Sequence, residues 1–251
     1  MTLNPTLKAL SSMRRNGVRT MVMGGQACVF YGAAEFSRDL DLLVLADAAN
    51  LLCLQGALAE LETKPIAVPE LELRHLERGL AVHFRSFAAG ITGFRIDVMS
   101  VLRDMEPFEV LWNRRTVIES EGVEIDLLSL ADLVRAKKTQ RDKDWPMLRR
   151  LVDRSWFQRE GSPEFWLREL RTPELLVAAV EAYPAEAALL AGVRDAIAAA
   201  IRGDYAAIAA SLVSEEGAER EADRVYWQPL KRELEWLRLH RAREAGTDDN
   251  P

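Results

Sequence analysis

Two short segments near the start of the chain restrict most strongly what it can fold into. Residues 21–25 read Met-Val-Met-Gly-Gly, and after thirteen further residues the segment 39–44 reads Asp-Leu-Asp-Leu-Leu-Val. The first segment predicts a strand that ends in a glycine turn, and residues 26–34 then favour a short helix. Because side chains alternate across a strand, Asp39 and Asp41 share one face of the second strand and alternate apolar residues share the other. We therefore expect a sheet with a core on one side and paired carboxylates on the other.

A third carboxylate fits this pattern further along the chain. Asp97 lies in the segment Phe-Arg-Ile-Asp-Val-Met at 94–99, where alternate apolar residues share one face of a strand and Asp97 lies on the other. A strand beside residues 39–45 would bring Asp97 to the other two acids. Mg²⁺ suits such a site because it prefers oxygen ligands and usually takes one or two carboxylates together with substrate phosphates. The alternative is a solvated sheet face in which Asp97 is paired with Arg95 or Arg38.

The glycine pair and two polar residues predict where phosphate would bind. Gly24 and Gly25 stand between a strand and a helix, where glycine lets the backbone approach an anion and the helix amides face it. Ser37 and Arg38 could add a hydroxyl and a guanidinium to the phosphates. Taken alone, a glycine pair is equally compatible with a plain tight turn. The combination of glycines and carboxylates favours a site for a nucleoside triphosphate and its magnesium.

The pattern of apolar residues divides the chain near residue 128. Before it strand and helix signals alternate, and after it the strand signals stop. We predict an α+β domain at 1–128, in which a mixed sheet is flanked by helices, followed by an all-helical domain at 129–251. Ser129, with Asp132 three residues later, predicts the N-cap of the first helix of that domain. The predicted strands are 20–23, 39–45, 66–68, 80–84, 94–99, 116–118 and 123–125, and the predicted helices before the boundary are 26–34 and 48–61.

Charge and composition narrow the class of protein. The hydrophobic fraction of 49% is typical of a globular protein. The formal net charge is −6, so the protein as a whole is not expected to attract polyanions. Residues 135–154 differ, with eight basic and three acidic side chains and a net charge of +5; they could bind phosphate or form a solvated helix face. No apolar run reaches the ~18 residues of a membrane helix, and the first residues lack a secretory signal. Two cysteines are too few for a disulfide framework or a zinc site, so we expect a cytoplasmic protein with no membrane partner.

The glycine pair, the thirteen-residue spacer, the Asp-Leu-Asp-Leu segment and Asp97 together resemble the signature of the polymerase-β-like nucleotidyltransferase superfamily. The resemblance covers about residues 18–152. It implies the nucleotidyltransferase fold and two Mg²⁺ ions held by Asp39, Asp41 and Asp97. It also implies that Asp97 acts as the base that helps an acceptor hydroxyl attack the α-phosphate.

Residues 128–144 resemble the helix that follows the catalytic strands in a small bacterial branch of this superfamily, which includes abortive-infection-type toxin nucleotidyltransferases. In that branch a lysine at the position of Lys137 faces the nucleotide phosphates, so the resemblance adds Lys137 to the nucleotide-binding residues. The same side chain could equally extend from a helix flank into water. Trp145 stands where many relatives carry a further acid, so the role of that acid does not transfer to this chain.

The function predicted from these residues is magnesium-dependent transfer of a nucleoside monophosphate from a triphosphate to an acceptor, with release of pyrophosphate. The acceptor stays open between RNA such as a tRNA end, a protein side chain and a small hydroxylated molecule. The rival interpretation is a non-catalytic protein that keeps the fold and binds a nucleotide or a partner, for example as one half of a toxin–antitoxin pair. A third is a structural protein whose helical half is an interface. His83 could line the pocket or have a structural role.

Overall fold

The protein, seen in a computed structural model, is described over residues 4–247, with side chains described over residues 4–241. Within these residues it is a mixed α/β protein with one seven-stranded sheet and twelve helices. The strands are β1 (Thr20–Met23), β2 (Asp39–Val44), β3 (Thr63–Pro65), β4 (Val82–Ser86), β5 (Arg95–Met99), β6 (Thr116–Ser120) and β7 (Val123–Leu127). The helices are α1 (Pro5–Arg15), α2 (Gly24–Phe30), α3 (Ala48–Glu60), α4 (Leu73–Glu77), α5 (Phe108–Asn113), α6 (Leu130–Ala136), α7 (Asp144–Gln158), α8 (Pro163–Glu169), α9 (Pro173–Ala182), α10 (Pro184–Leu190), α11 (Asp195–Ile201) and α12 (Tyr205–Thr247).

The sheet is mixed, and its strand order is β3-β4-β5-β2-β1-β7-β6. Strands β2 and β5 are parallel, as are β1 and β7, and the other four neighbouring pairs are antiparallel. All seven strands precede residue 128, and the segments that follow in the described chain are helices and their connections. The predicted mixed sheet with flanking helices and a helical C-terminal region is therefore confirmed.

Alternation of polar and apolar residues explains the face on which the core forms. Leu40 and Leu42 of β2, and Ile96 and Val98 of β5, are each 0% exposed. Of their neighbours on the opposite face, the acids and Arg95 are half-buried, and Leu43 and Met99 complete that face toward the ends of the strands. A period of two in the sequence thus separates an apolar side of the sheet from a polar side, as predicted.

One predicted edge strand is wrong in position. The sequence pattern indicated residues 66–68, between two prolines, but the edge strand β3 is Thr63–Pro65. Glu62 has a φ of +48°, which turns the chain after α3 and places residues 63–65 beside β4. Pro65 ends the strand at the sheet edge, where its missing N–H costs no ladder hydrogen bond.

Helices α1 and α6 begin where a side chain accepts a hydrogen bond from one of their first amides. Asn4 caps α1 by accepting a hydrogen bond from Thr6 N at 3.0 Å. This N-terminal helix was not predicted from the sequence. Ser129 caps α6 as predicted, accepting a 3.3 Å hydrogen bond from Asp132 N. Among the described residues no helix combines the length and the apolar character needed to cross a membrane.

The described residues form two compact units. The first contains the sheet and consists of residues 4–30, 34–133 and 226–247; the second consists of residues 31–33 and 134–225. The predicted domain boundary at residue 128 stays a prediction. Within the second unit Trp156 packs edge-on against Trp166 at a ring-centroid distance of 5.3 Å. Both side chains are buried, so these tryptophans fill a helical core.

Candidate metal centre

Pairing of β2 with β5 brings the three predicted acids together. In this parallel pair Asp41 lies directly opposite Asp97, and Asp39 lies opposite Arg95. One carboxylate oxygen from each of Asp39, Asp41 and Asp97 lies within 4.8 Å of the others. Because residues two apart on a strand share a face, the pairing collects all three carboxylates on the polar side of the sheet.

The two glycines make room for this cluster. Gly24 has a φ of +65°, and a Cβ added to it would lie 1.8 Å from Asp41 Oδ2. Gly25 N donates a hydrogen bond to the same oxygen at 3.3 Å, and a Cβ on Gly25 would lie 2.7 Å from Ser37 Oγ. From the sequence, these glycines were expected to allow close approach of a phosphate. The structure adds a nearer reason, because side chains of the cluster already fill the space that larger residues would need.

Each acid also has partners that fix its orientation. Ser37 Oγ lies 3.1 Å from Asp39 Oδ1 and 2.9 Å from the Asp39 carbonyl oxygen, so its single proton can be donated to one of them at a time. Asp97 Oδ1 accepts a hydrogen bond from Arg95 Nε at 2.7 Å and lies 2.9 Å from His83 Nδ1. His83 Nδ1 is also 3.2 Å from Arg95 Nη2, so the tautomer of the ring decides which of the two neighbours it bonds.

The electrostatics of the cluster favour a bound cation. Two carboxylates at about 5 Å repel each other by on the order of 3 kcal/mol at an effective dielectric constant of ~20. Burial disfavours the charged form of Asp97, but its hydrogen-bonding and charge interactions with His83 and Arg95 together outweigh burial and hold its pKa below the usual value. The Arg95 pKa is raised, first by its hydrogen bond to Asp97 and further by attraction to all three acids. Arg95 carries one positive charge against the three negative charges of the acids, so by itself it offsets only part of the charge of the cluster.

The donor set fits magnesium. All three groups offer carboxylate oxygens, which suit hard cations such as Mg²⁺ or Mn²⁺. Oxygens on opposite sides of one Mg²⁺ lie about 4.2 Å apart, since each Mg–O distance is ~2.1 Å. The spacing of the three acids, within 4.8 Å, comes close to this value, so small side-chain rotations suffice. Both contacts of Asp97 fall on Oδ1, so its second oxygen can bind an ion while they persist.

The remaining predicted residues lie in different surroundings. Arg38 is exposed and Ser37 is half-buried, just before Asp39. Lys137 belongs to the second unit, where its ammonium donates a 3.0 Å hydrogen bond to Asp144 and only 6% of the side chain is exposed. This buried ion pair differs from both sequence interpretations, which placed the lysine on a phosphate or in water. The predicted role of Lys137 in nucleotide binding stays a prediction.

Two residues that contact Asp97 were not assigned this role from the sequence. Arg95 appeared only as a structural alternative to a metal, and His83 was left between a pocket residue and a structural one. The structure pairs His83 directly with Asp97 across β4 and β5. A sequence signal existed, because His83 alternates with the buried Val82 and Phe84 and must lie on the opposite face. Which strand lies next to β5 was not readable from that pattern.

Comparisons with known proteins do not extend this description. No protein-family model matches the chain. Among curated proteins no sequence matches it at a significant level. The class that fold and site define is a mixed α/β protein with a three-carboxylate cluster on the polar face of its sheet.

Proposed function

We propose that this protein is a magnesium-dependent nucleotidyltransferase with the nucleotidyltransferase fold. The observation that carries the proposal is the meeting of Asp39, Asp41 and Asp97 within 4.8 Å beside the glycine turn. These acids come from strands that are far apart in the chain, and the predicted motif required them to meet. Three carboxylates around divalent cations beside a phosphate site form the usual arrangement for phosphoryl transfer by two metal ions.

In this proposal the three acids hold Mg²⁺, while Ser37 and the exposed Arg38 bind the triphosphate. Bound Mg²⁺ would neutralise the charge that develops on the phosphate oxygens. The acceptor oxygen attacks the α-phosphorus, the bond to the oxygen that bridges to the β-phosphate breaks, and pyrophosphate leaves with that electron pair. The hydroxyl proton passes to the Asp97 carboxylate and from there to water.

The rival proposal is a non-catalytic protein that retains the fold to bind a nucleotide or a partner such as an antitoxin. The presence of all three carboxylates supports the catalytic proposal, since transfer by two metal ions uses such a set, whereas binding of a protein partner requires none of them. Their proximity is costly in the absence of a cation. A protein that had lost the reaction would gain stability by replacing one acid.

The direct test is label transfer. The protein is incubated with Mg²⁺ and each common ribonucleoside triphosphate, radiolabelled at the α-phosphate, together with total RNA and lysate protein. We expect one labelled product class and release of pyrophosphate. Replacing Asp41 by Asn keeps the side-chain shape but removes a charge, so the rate should fall about 100-fold or more.

The matched control is Glu119→Gln, which removes an exposed carboxylate from strand β6. This variant should transfer label as the wild type does. Equal transfer by Asp41→Asn and wild type would refute the proposed centre. Triphosphate binding without transfer to any acceptor would support the non-catalytic rival instead.

A further inference from the structure

The polar face of the sheet continues beyond the carboxylates as a row of positive side chains. Asp39 lies opposite Arg95, Arg95 lies opposite Arg85 on β4, and Arg85 lies opposite Lys64 on the edge strand β3. Directly opposite residues of neighbouring strands project from the same face. Arg95, Arg85 and Lys64, here called the cation row, therefore cross three strands from the metal centre to the edge of the sheet.

This row is open to solvent. Arg85 and Lys64 are exposed, and the Arg95 side chain is 43% exposed although it bonds to Asp97. Within the described residues the Arg85 guanidinium and the Lys64 ammonium have no carboxylate partner. In the basic segment 135–154, Lys137 and Lys138 are paired with acids, while Arg149 and Arg150 are exposed. Within the cation row Arg95 is paired with Asp97, so Arg85 and Lys64 supply its unpaired positive charge, in a protein whose formal net charge is −6.

An exposed aromatic ring lies at the outer end of the row. Phe87 follows β4 and is 48% exposed. The Lys64 ammonium lies 5.4 Å from the centroid of this ring. A flat apolar ring beside unpaired cations is the combination by which proteins bind single-stranded nucleic acids, where bases stack and phosphates meet positive charge.

The position of the row indicates which substrate it serves. Gly24 and Gly25 flank Asp41 on the side of β1, whereas the cation row leaves the cluster on the other side, through β5, β4 and β3. The proposed triphosphate site uses residues at the glycine side. The row is therefore placed to hold the molecule that approaches from the side of Asp97, which is the acceptor.

We propose that the acceptor is a single-stranded nucleic acid, whose phosphates bind the cation row and whose 3′ hydroxyl reaches the carboxylate cluster. Neighbouring strands are ~4.8 Å apart, so the three cations span about 10 Å, which is longer than one phosphate group needs and suits successive phosphates. A protein hydroxyl or a small molecule would bring no repeated negative charge to such a row. This inference rests on the proposed nucleotidyltransferase activity for the reaction, but the binding it asserts can be measured without that reaction.

The test measures binding of a fluorescent single-stranded RNA about 12 nucleotides long by anisotropy, over a series of salt concentrations. One variant carries Lys64→Ala and Arg85→Ala. The matched control carries Arg149→Ala and Arg150→Ala, which removes two exposed cations of the basic segment in the second unit. A DNA of the same sequence separates recognition of ribose from recognition of phosphate.

We expect the Lys64 and Arg85 variant to bind RNA at least tenfold more weakly, and the slope of log affinity against log salt to fall by about 1.4, or ~0.7 for each lost cation. The Arg149 and Arg150 control should bind as the wild type does. Unchanged affinity and slope in the Lys64 and Arg85 variant, or no binding of either nucleic acid by the wild type, would overturn the inference. Label transfer to protein alone would also overturn it.

The Asp41→Asn variant separates this inference from the proposed function. It removes a metal ligand but leaves the cation row intact, so RNA binding without Mg²⁺ should be unchanged or stronger. If the wild type binds RNA through the row yet transfers no nucleotide, the proposed function fails while the binding site stands. If label is transferred to an acceptor whose binding does not depend on the cation row, only the assignment of the acceptor fails.

Discussion

Gly24 is held in a left-handed conformation, with a φ of +65°, directly against the carboxylate of Asp41. Two separate constraints act on this position. Any other L-residue would lose about 1–2 kcal/mol through backbone strain, and its Cβ would also collide with Asp41 Oδ2. The first constraint affects folding stability alone, whereas the second moves a proposed metal ligand.

We therefore predict that Gly24→Ala lowers stability by roughly 1–2 kcal/mol or more and abolishes Mg²⁺ or Mn²⁺ binding. Isothermal titration with each metal and urea unfolding measure the two effects on the same protein. The alanine methyl must displace the Asp41 side chain, so metal binding should be lost even under conditions where the variant is fully folded.

Gly122 provides the matched control for this prediction. It has a φ of +76° in the turn between β6 and β7, and a Cβ there would meet nothing within 4 Å. Gly122→Ala should therefore show the backbone strain without any change in metal affinity. If the two variants bound metal equally well, crowding at Asp41 would not matter to the site.

At the scale of elements, Asp144 organises the connection between α6 and α7. Its carboxylate accepts hydrogen bonds from Lys137 Nζ at 3.0 Å, from Thr139 Oγ1 at 2.7 Å and from Arg141 Nε at 2.7 Å. Burial disfavours the charged form, but attraction to Lys137, the Thr139 hydrogen bond and attraction to Arg141 together lower the Asp144 pKa. The Asp144 carboxylate, at the start of α7, thus holds three side chains of the preceding loop by hydrogen bonds.

We predict that Asp144→Ala destabilises the protein by about 3–5 kcal/mol, because it leaves the Lys137 ammonium buried without its partner. The double variant Lys137→Met with Asp144→Leu should recover most of that loss. Urea unfolding at neutral pH measures both. Full stability in Asp144→Ala would show that Lys137 reaches another partner, as a phosphate-binding lysine would.

The ion pair of Lys137 and Asp144 also predicts how the stability of the protein changes with pH. Because the folded-state pKa of Asp144 is lowered from its ordinary value of 3.8, its contribution to stability is present above that value. It is lost as the pH falls through the folded-state pKa. The stability of the wild type relative to the double variant should therefore be constant near neutral pH and fall below about pH 4.

The elements also show how far the sequence alone could lead. Strands β1, β2 and β5 were predictable because their apolar residues alternate or cluster between glycine and polar boundaries. The three site acids were predictable because isolated carboxylates on apolar strands need a partner or a cation. The contacts of Arg95 and His83 with Asp97 were not predictable, because they depend on β4 lying next to β5, and strand order leaves no local trace in the sequence. Asn4 and Pro5 signal the start of α1, and Leu7, Leu10 and Met13 recur at helical spacing, so this helix was predictable from the sequence although it was not predicted.

For the whole molecule, the carboxylate cluster links stability to divalent cations. A ligand that binds only the folded state stabilises it by about 2.7 kcal/mol at one hundred times its dissociation constant. For a chain of 251 residues this corresponds to a rise of roughly 5–10 °C in the unfolding temperature. Without a cation the same cluster is a source of repulsion.

We predict opposite responses of the wild type and Asp41→Asn in thermal unfolding. In a chelator the variant should unfold at a higher temperature than the wild type, since one of the mutually repelling charges is gone. With excess Mg²⁺ the unfolding temperature of the wild type should rise above that of the variant, and the unfolding temperature of the variant should change little. Glu119→Gln should follow the wild type in both conditions. A parallel rise in all three proteins would mean that Mg²⁺ acts elsewhere on the chain.

Parallel pairing of β2 with β5 has a consequence for how the chain reaches its native state. A shift of the pairing by one residue would turn Asp97 toward the leucine-rich side of the sheet and carry Ile96 or Val98 into water. Ion affinity is therefore a property of one alignment of two segments that lie far apart in the chain, and a long loop must close before they can pair. During refolding, tight Mn²⁺ binding should appear only once that alignment is reached. Chains in which the two strands are misaligned should not bind the ion tightly.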